Sequence, residues 1–458
     1  MNQNKHAARF GRESPGHEDT CSSQYVLKHM NAASRLSRRQ WKKITVHVHA
    51  PPYHLLLWLI LLVGIAWIEA PPLQGALPVV SNVLASQRSG TKLVDIYYDL
   101  ADADGNASTI YIYVSADGGT TWNVPAHTFT GDWAGVLPGQ NKHLVWDAGE
   151  DWNGQFTTRC RVRVIAFDLD QDSMVLIPSG SFEMGTTFID SGPSYTELPV
   201  HSVYVSAFYI QRTEVSKRLW DLVYGWAIHN GYYFENAGLA KGADHPVHTI
   251  NWYDAVKWCN ARSEFENRTP VYYTGADKIT VYRAGRLDLE SDFVKWTGDG
   301  YRLPTEAEWE KAARGGLFAK RFPWGNTITH NQANYYSGGN IFNISVTSGY
   351  HPSYAISPEP YTSPVGSFAP NDYGLFDIAG NLSEWCWDWY SDVWYRQVEA
   401  TATDTRGPPQ RADPSRAQRV CRDGDWGYYS LGVRGARRSW NYAEQATNNK
   451  GFRCIRSK

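Results

Sequence analysis

Charged residues are scarce, at 20% of 458, and neither sign dominates: 44 Lys and Arg stand against 46 Asp and Glu. Without a basic excess, nucleic acid is excluded as the expected partner. No two of the six cysteines fall at Cys-x-x-Cys spacing, which removes the commonest kind of zinc knuckle. Long helical periodicity is missing too, while hydrophobic residues reach 42% and aromatics 14%. That profile rules out disorder and coiled coil and leaves a globular, aromatic-rich chain, long enough for two or three domains.

One long apolar run is present, YHLLLWLILLVGIAWI at residues 53–68, preceded by Arg35, Arg38, Arg39, Lys42 and Lys43. Positive-then-apolar is the order of an export signal or a membrane anchor. The run is short for a helix crossing about 30 Å of hydrocarbon, which favours a cleaved signal. Ala66, Ala70 and Ala76 make no clean small-x-small cleavage site, so an anchor stays open. Residues 1–76 are therefore read as a basic segment with a signal peptide or anchor. Everything after them is expected outside the cytoplasm, meeting a membrane only through residues 53–68. Five cysteines follow the run (Cys160, Cys259, Cys386, Cys421 and Cys454), an odd count that leaves at least one unpaired within a monomer where disulfides are permitted.

Residues 77–170 carry short alternating runs such as KLVDIYYDL, STIYIYVSA and CRVRVIAF, separated by Asp, Gly and Asn clusters. This pattern predicts a small Ig/fibronectin-like β-sandwich. Within it SADGGTTW (115–122) resembles the Asp-box hairpin of sialidase-type propellers, which implies a glycosidase as the weakest alternative. The motif occurs once, whereas a propeller repeats its blade, so a hairpin tied by Ser115 and Asp117 is the favoured reading.

From residue 174 the texture becomes rich in Trp, Gly and Asn, and three helices are predicted. One follows Ser216 as N-cap and stops at Gly231, one follows Asn251, and one opens on a Thr305–Glu308 capping box and ends at Gly315-Gly316. Along this stretch stand, in order, MVLIPSGSFEMG (174–185), HPVHTINWYDAVKWCN (245–260), YRLPTEAEWEKAARGG (301–316), YGLFDIAGNLSEW (373–385) and GFRC (451–454). Together they resemble the formylglycine-generating enzyme family, also called sulfatase-modifying factor domains, over residues 174–458.

The resemblance implies an α+β, C-type-lectin-like fold with little regular structure, and copper-assisted oxidation of a sulfatase cysteine to formylglycine. Its two catalytic cysteine positions fall on Tyr428 and Val433, and its GGS motif on Asp423-Gly424-Asp425. Neither Tyr nor Val can hold copper as a thiolate, so no catalytic residue is assigned and copper is not expected. The family's calcium loop falls on Asp377, Gly380, Leu382 and Glu384, and a family disulfide on Cys259 and Cys454. Cys386 and Cys421 are a second candidate bridge, with buried thiols the other reading. His245 and His248 read as core or hydrogen-bonding groups rather than metal ligands. The altered stretch gathers Trp426, Tyr428, Tyr429, Arg434 and Arg438, a candidate pocket for peptide or glycan. The expected function is an extracytoplasmic binding module, altered in catalysis; an oxidase using an unrecognised site is the alternative.

Overall fold

The computed structural model describes residues 78–458, apart from 103–104, 106, 123, 169–173, 189–193 and 339–343. The apolar run at 53–68 lies outside the described residues; among these, no helix is long and apolar enough to cross a membrane.

Six strands come first: β1 (Val79–Gln87), β2 (Leu93–Ala101), β3 (Ser108–Ser115), β4 (Phe129–Gly131), β5 (Gly139–Asp147) and β6 (Arg161–Asp168). They form a four-stranded sheet in the order β1-β2-β5-β4 and a β3-β6 ribbon, paired antiparallel throughout. Period-two alternation decides what each face does. On β3, Ile110, Ile112 and Val114 turn into a core shared with Ile96, Tyr98, Leu144 and Trp146. The intervening Tyr111 and Tyr113 face the other way and pack on the next core. The Tyr113 hydroxyl donates to the Leu222 carbonyl at 3.1 Å, and Tyr111 stacks on Phe265 at 5.2 Å. The hairpin after β3 is held by Asp117, which accepts from the amides of Thr120 and Thr121 at 2.9 Å each while Gly118 and Gly119 take positive φ.

The rest of the chain is a mixed, sheet-rich fold with few helices. A four-stranded sheet β11-β16-β10-β7 joins Tyr301–Arg302, Ile455–Ser457, Phe208–Gln211 and Met174–Ile177; β8 (Gly180–Met184) and β9 (His201–Val205) form a separate hairpin. A second four-stranded sheet runs β14 (Arg438–Tyr442), β13 (Gln418–Arg422), β12 (Ser383–Trp389) and β15 (Lys450–Gly451). All seven residues of β12 are buried. Trp385 and Trp387 point into one core, Cys386 into another, so this sheet is a partition between two packed clusters.

All three helices are present. Lys217–Ala227 is capped by Ser216, and Trp252–Phe265 and Glu306–Ala313 each carry a full capping box, from Asn251 with Asp254 and from Thr305 with Glu308. The first helix stops short of Gly231. Asn230 turns back to donate to the Trp226 carbonyl at 2.8 Å, and Gly231, at φ 80°, lies in the following turn.

Candidate functional site

The segment 418–442 leaves the partition sheet at Arg422, loops through Asp423 to Tyr429, makes a 3-10 turn at Ser430–Val433 and returns as β14. Arg422, Arg434 and Arg438 on it face inward. Arg422 donates to Glu306 at 2.9 Å and Glu310 at 2.7 Å. Arg438 grips Glu306 through two bonds of 2.7 and 2.9 Å and also reaches the carbonyls of Thr196 and Ser391. Arg434 holds Glu197 through bonds of 2.8 and 3.0 Å. Burial works against charge on Glu306, but Arg438 and Arg422 together hold its carboxyl below the usual range. Arg434 and Arg438 are therefore not ligand-pocket residues, contrary to the expectation from sequence. Both are buried, and their planar forks are spent on internal carboxylates.

The aromatic half of the expected pocket is brought together, with members that sequence reasoning missed. Tyr429 lies 5.5 Å from Tyr336, Tyr336 4.6 Å from Tyr350, and Tyr350 4.9 Å from Tyr361, ring centre to ring centre. Trp426 backs this row at 5.2 Å from Tyr361 and is 6% exposed, its indole N–H buried without an acceptor. Tyr350 and Tyr428 are 37% and 39% exposed. Tyr428 packs against Gly432, where a Cβ would stand 1.8 Å from its ring. Lys241 sits 5.6 Å over the Tyr361 ring. No sequence signal joined Tyr336, Tyr350, Tyr361 and Lys241 to residues 426–429. Only the doublet Tyr335-Tyr336 hinted at an aromatic surface.

Of the two positions assigned to catalytic cysteines, Tyr428 is at the surface and Val433 is buried with Phe322, Ile328 and Tyr335. Cys421 offers no substitute. It is fully buried, and burial pushes its thiol up to about 12, far from a thiolate at neutral pH. A bridge to Cys386 is also ruled out by the pleat. Cys421 stands opposite Trp385 and shares its face, so Cys386, one residue on, points into the other core. Cys259 and Cys454 share one buried core, yet the expected disulfide is not formed and both are thiols. The Cys454 sulfur instead lies 3.2 Å from both Arg262 Nη1 and Gln211 Oε1.

The expected calcium residues lie on one loop, with both carboxylates buried. Glu384 is taken: Arg453 donates to it at 2.7 Å and the Trp309 indole at 2.7 Å. Asp377 accepts from the Gly366 amide, and its Oδ1 is buried without a partner; burial pushes its carboxyl up to about 7. Gly380 approaches Asn334 so closely that a Cβ would stand 2.3 Å from its carbonyl oxygen, and its amide donates to Asp423 at 2.8 Å. Leu382 is a core side chain. Among the described residues no group of three or more His, Cys, Asp or Glu is placed to hold a metal ion. Arg453 thus already supplies the positive charge that Glu384 faces. Glu214, a buried neighbour of Asp377 with one oxygen unpartnered, escaped the sequence reading altogether. His245 and His248 hydrogen-bond to Thr362 and Thr249, and burial pushes His248 down to about 4, as core histidines do.

Partition sheet, capped helices and ordered loops define a loop-rich α+β domain built around buried ion pairs. The chain belongs to the sulfatase-modifying factor enzyme 1-like domain family, whose model matches residues 166–458. It is 33% identical over 302 residues to the formylglycine-generating enzyme of Thermomonospora curvata, a match covering 61% of this chain and 92% of that protein. It is 35% identical over 226 residues to the chaperone protein LppX of Paenibacillus barcinonensis, covering 48% of this chain and 72% of the relative. Among solved structures, Treponema denticola variable protein 1 is 28% identical with a TM-score of 0.46, covering 62% and 95% of the two chains.

Proposed function

We propose that this protein is an extracytoplasmic binding module, altered in the catalysis of its family, that presents an aromatic face to a peptide or glycan. One observation carries the reading. At the position where the resemblance places the first catalytic cysteine, Tyr428 lies exposed beside a row of tyrosines, and Val433 fills a small apolar core where the second would be. The buried, un-ionised Cys421 thiol adds support. The first two sheets are read as an Ig/fibronectin-like sandwich. Their hairpin, tied by Asp117, supports a structural turn rather than a glycosidase blade. The basic and apolar segments within residues 1–76 support export.

The kinship to formylglycine-generating enzymes favours the second reading, an oxidase with an unrecognised site. One experiment separates them. The protein is incubated with Cu(I), oxygen and a Cys-x-Pro-x-Arg peptide beside an active family enzyme, and the peptide is weighed by mass spectrometry. An unchanged peptide is the expected outcome; conversion of its thiol to an aldehyde overturns the binding-module reading.

A further inference from the structure

We infer that the tyrosine row is a platform for an acidic oligosaccharide, an inference that rests on the binding-module reading and narrows its ligand. The rings of Tyr429, Tyr336, Tyr350 and Tyr361 lie 4.6 to 5.5 Å apart between centres, inclined to one another by 51° to 73°. Rings so close leave no slot between them for an inserted side chain. They make instead a ridge of aromatic faces and phenol hydroxyls with Tyr350 more than a third exposed. The C–H face of a pyranose fits such a ridge, because its weakly positive hydrogens meet the negative ring faces while its hydroxyls exchange hydrogen bonds with phenols.

Charge selects the acidic class. At one end Lys241 stands over Tyr361, donates to the Ile356 carbonyl and forms no ion pair among the described residues. At the other end Arg437 reaches the Tyr428 hydroxyl at 3.5 Å and lies 3.9 Å from Glu197. Glu197 is already gripped by Arg434, so its single charge faces two guanidinium groups and a positive excess remains beside Tyr428. Glu359 and the buried Asp425, which both act on the Tyr350 phenol, are the opposing charges near the middle, and Lys450 lies 3.8 Å from Asp425. Cations at both ends of the aromatic ridge complement a chain of sugar rings bearing carboxylate or sulfate, each cation forming a charge-assisted hydrogen bond.

The test uses the full chain and calorimetric titration with tetragalacturonate, its uncharged methyl ester, a heparin tetrasaccharide and its desulfated, N-acetylated and carboxyl-reduced form, with a random peptide library as a separate arm. At least one acidic saccharide is expected to bind about tenfold more tightly than its neutral counterpart, the discrimination of about one charge-assisted hydrogen bond. Lys241→Gln, at an exposed position, is expected to erase most of that difference, and Tyr350→Ala to abolish binding while the melting temperature holds. Equal affinity for charged and neutral forms overturns the inference. So does acidic-saccharide binding that survives both substitutions. Peptide binding without saccharide binding overturns it and keeps the broader reading, whereas no binding in either arm sinks both.

Discussion

Segment 418–442 has two sides, and they obey different rules. Facing inward, Arg422, Arg434 and Arg438 are paired with Glu306, Glu310 and Glu197. Facing outward, Tyr428 is exposed beside Arg437, and Tyr429 and the buried Trp426 pack against the rings of Tyr336 and Tyr361. A buried guanidinium paired to a carboxylate is scaffolding, because removing either partner strands a charge in low dielectric. Exposed rings carry no such obligation. Residue type alone therefore does not mark a binding site; what matters is whether the side chain's chemistry is already committed.

Glu306→Ala tests the inner side most severely. It leaves Arg422 and Arg438 without their shared carboxylate and is expected to lower unfolding free energy by about 3–5 kcal/mol in denaturant titrations. Retention of wild-type stability would erase the contrast.

Acid should act next, on a buried histidine elsewhere in the core. Burial pushes His248 down to about 4, so the folded protein resists a proton that the unfolded chain takes up below about pH 6.5. Its contribution to stability is full above about pH 6.5 and erodes as pH falls toward about 4. The denaturation midpoint measured across that window should decline, and less steeply in His248→Gln.

The outer side should barely register. Tyr428→Ala removes a ring that is 39% exposed and is expected to shift stability by no more than about 1 kcal/mol. A loss of several kcal/mol would show that Tyr428 is a structural lid on Gly432 rather than an uncommitted surface.

Local chemistry was legible in the sequence. Ser216, Asn251 and the Thr305–Glu308 pair each act within one helical turn, and the helices begin where these residues stand. The ordered motifs gave the family in the same way. What could not be read was set by partners far along the chain: Glu197 is 237 residues from Arg434, and Glu306 is 132 from Arg438. The same distance hid Tyr336, Tyr350 and Lys241 from Trp426. Strand β12 was masked for another reason. Its sequence SEWCWDW lacks a continuous apolar run, because Glu384 and Asp388 are buried beside Arg453 and the Glu306 amide.

The ribbon of Ser108–Ser115 and Arg161–Asp168 has one further consequence. It is a party wall: one face belongs to the first core, while Tyr111, Tyr113 and Ile165 belong to the helices beyond. Cutting the chain near residue 170 would not release two self-sufficient pieces. It would strip an aromatic face bare on one and open the helical core on the other. A single calorimetric melting transition for the described part of the chain is the signature of that shared wall, and a force applied at either piece is carried into the other through the Tyr113–Leu222 contact.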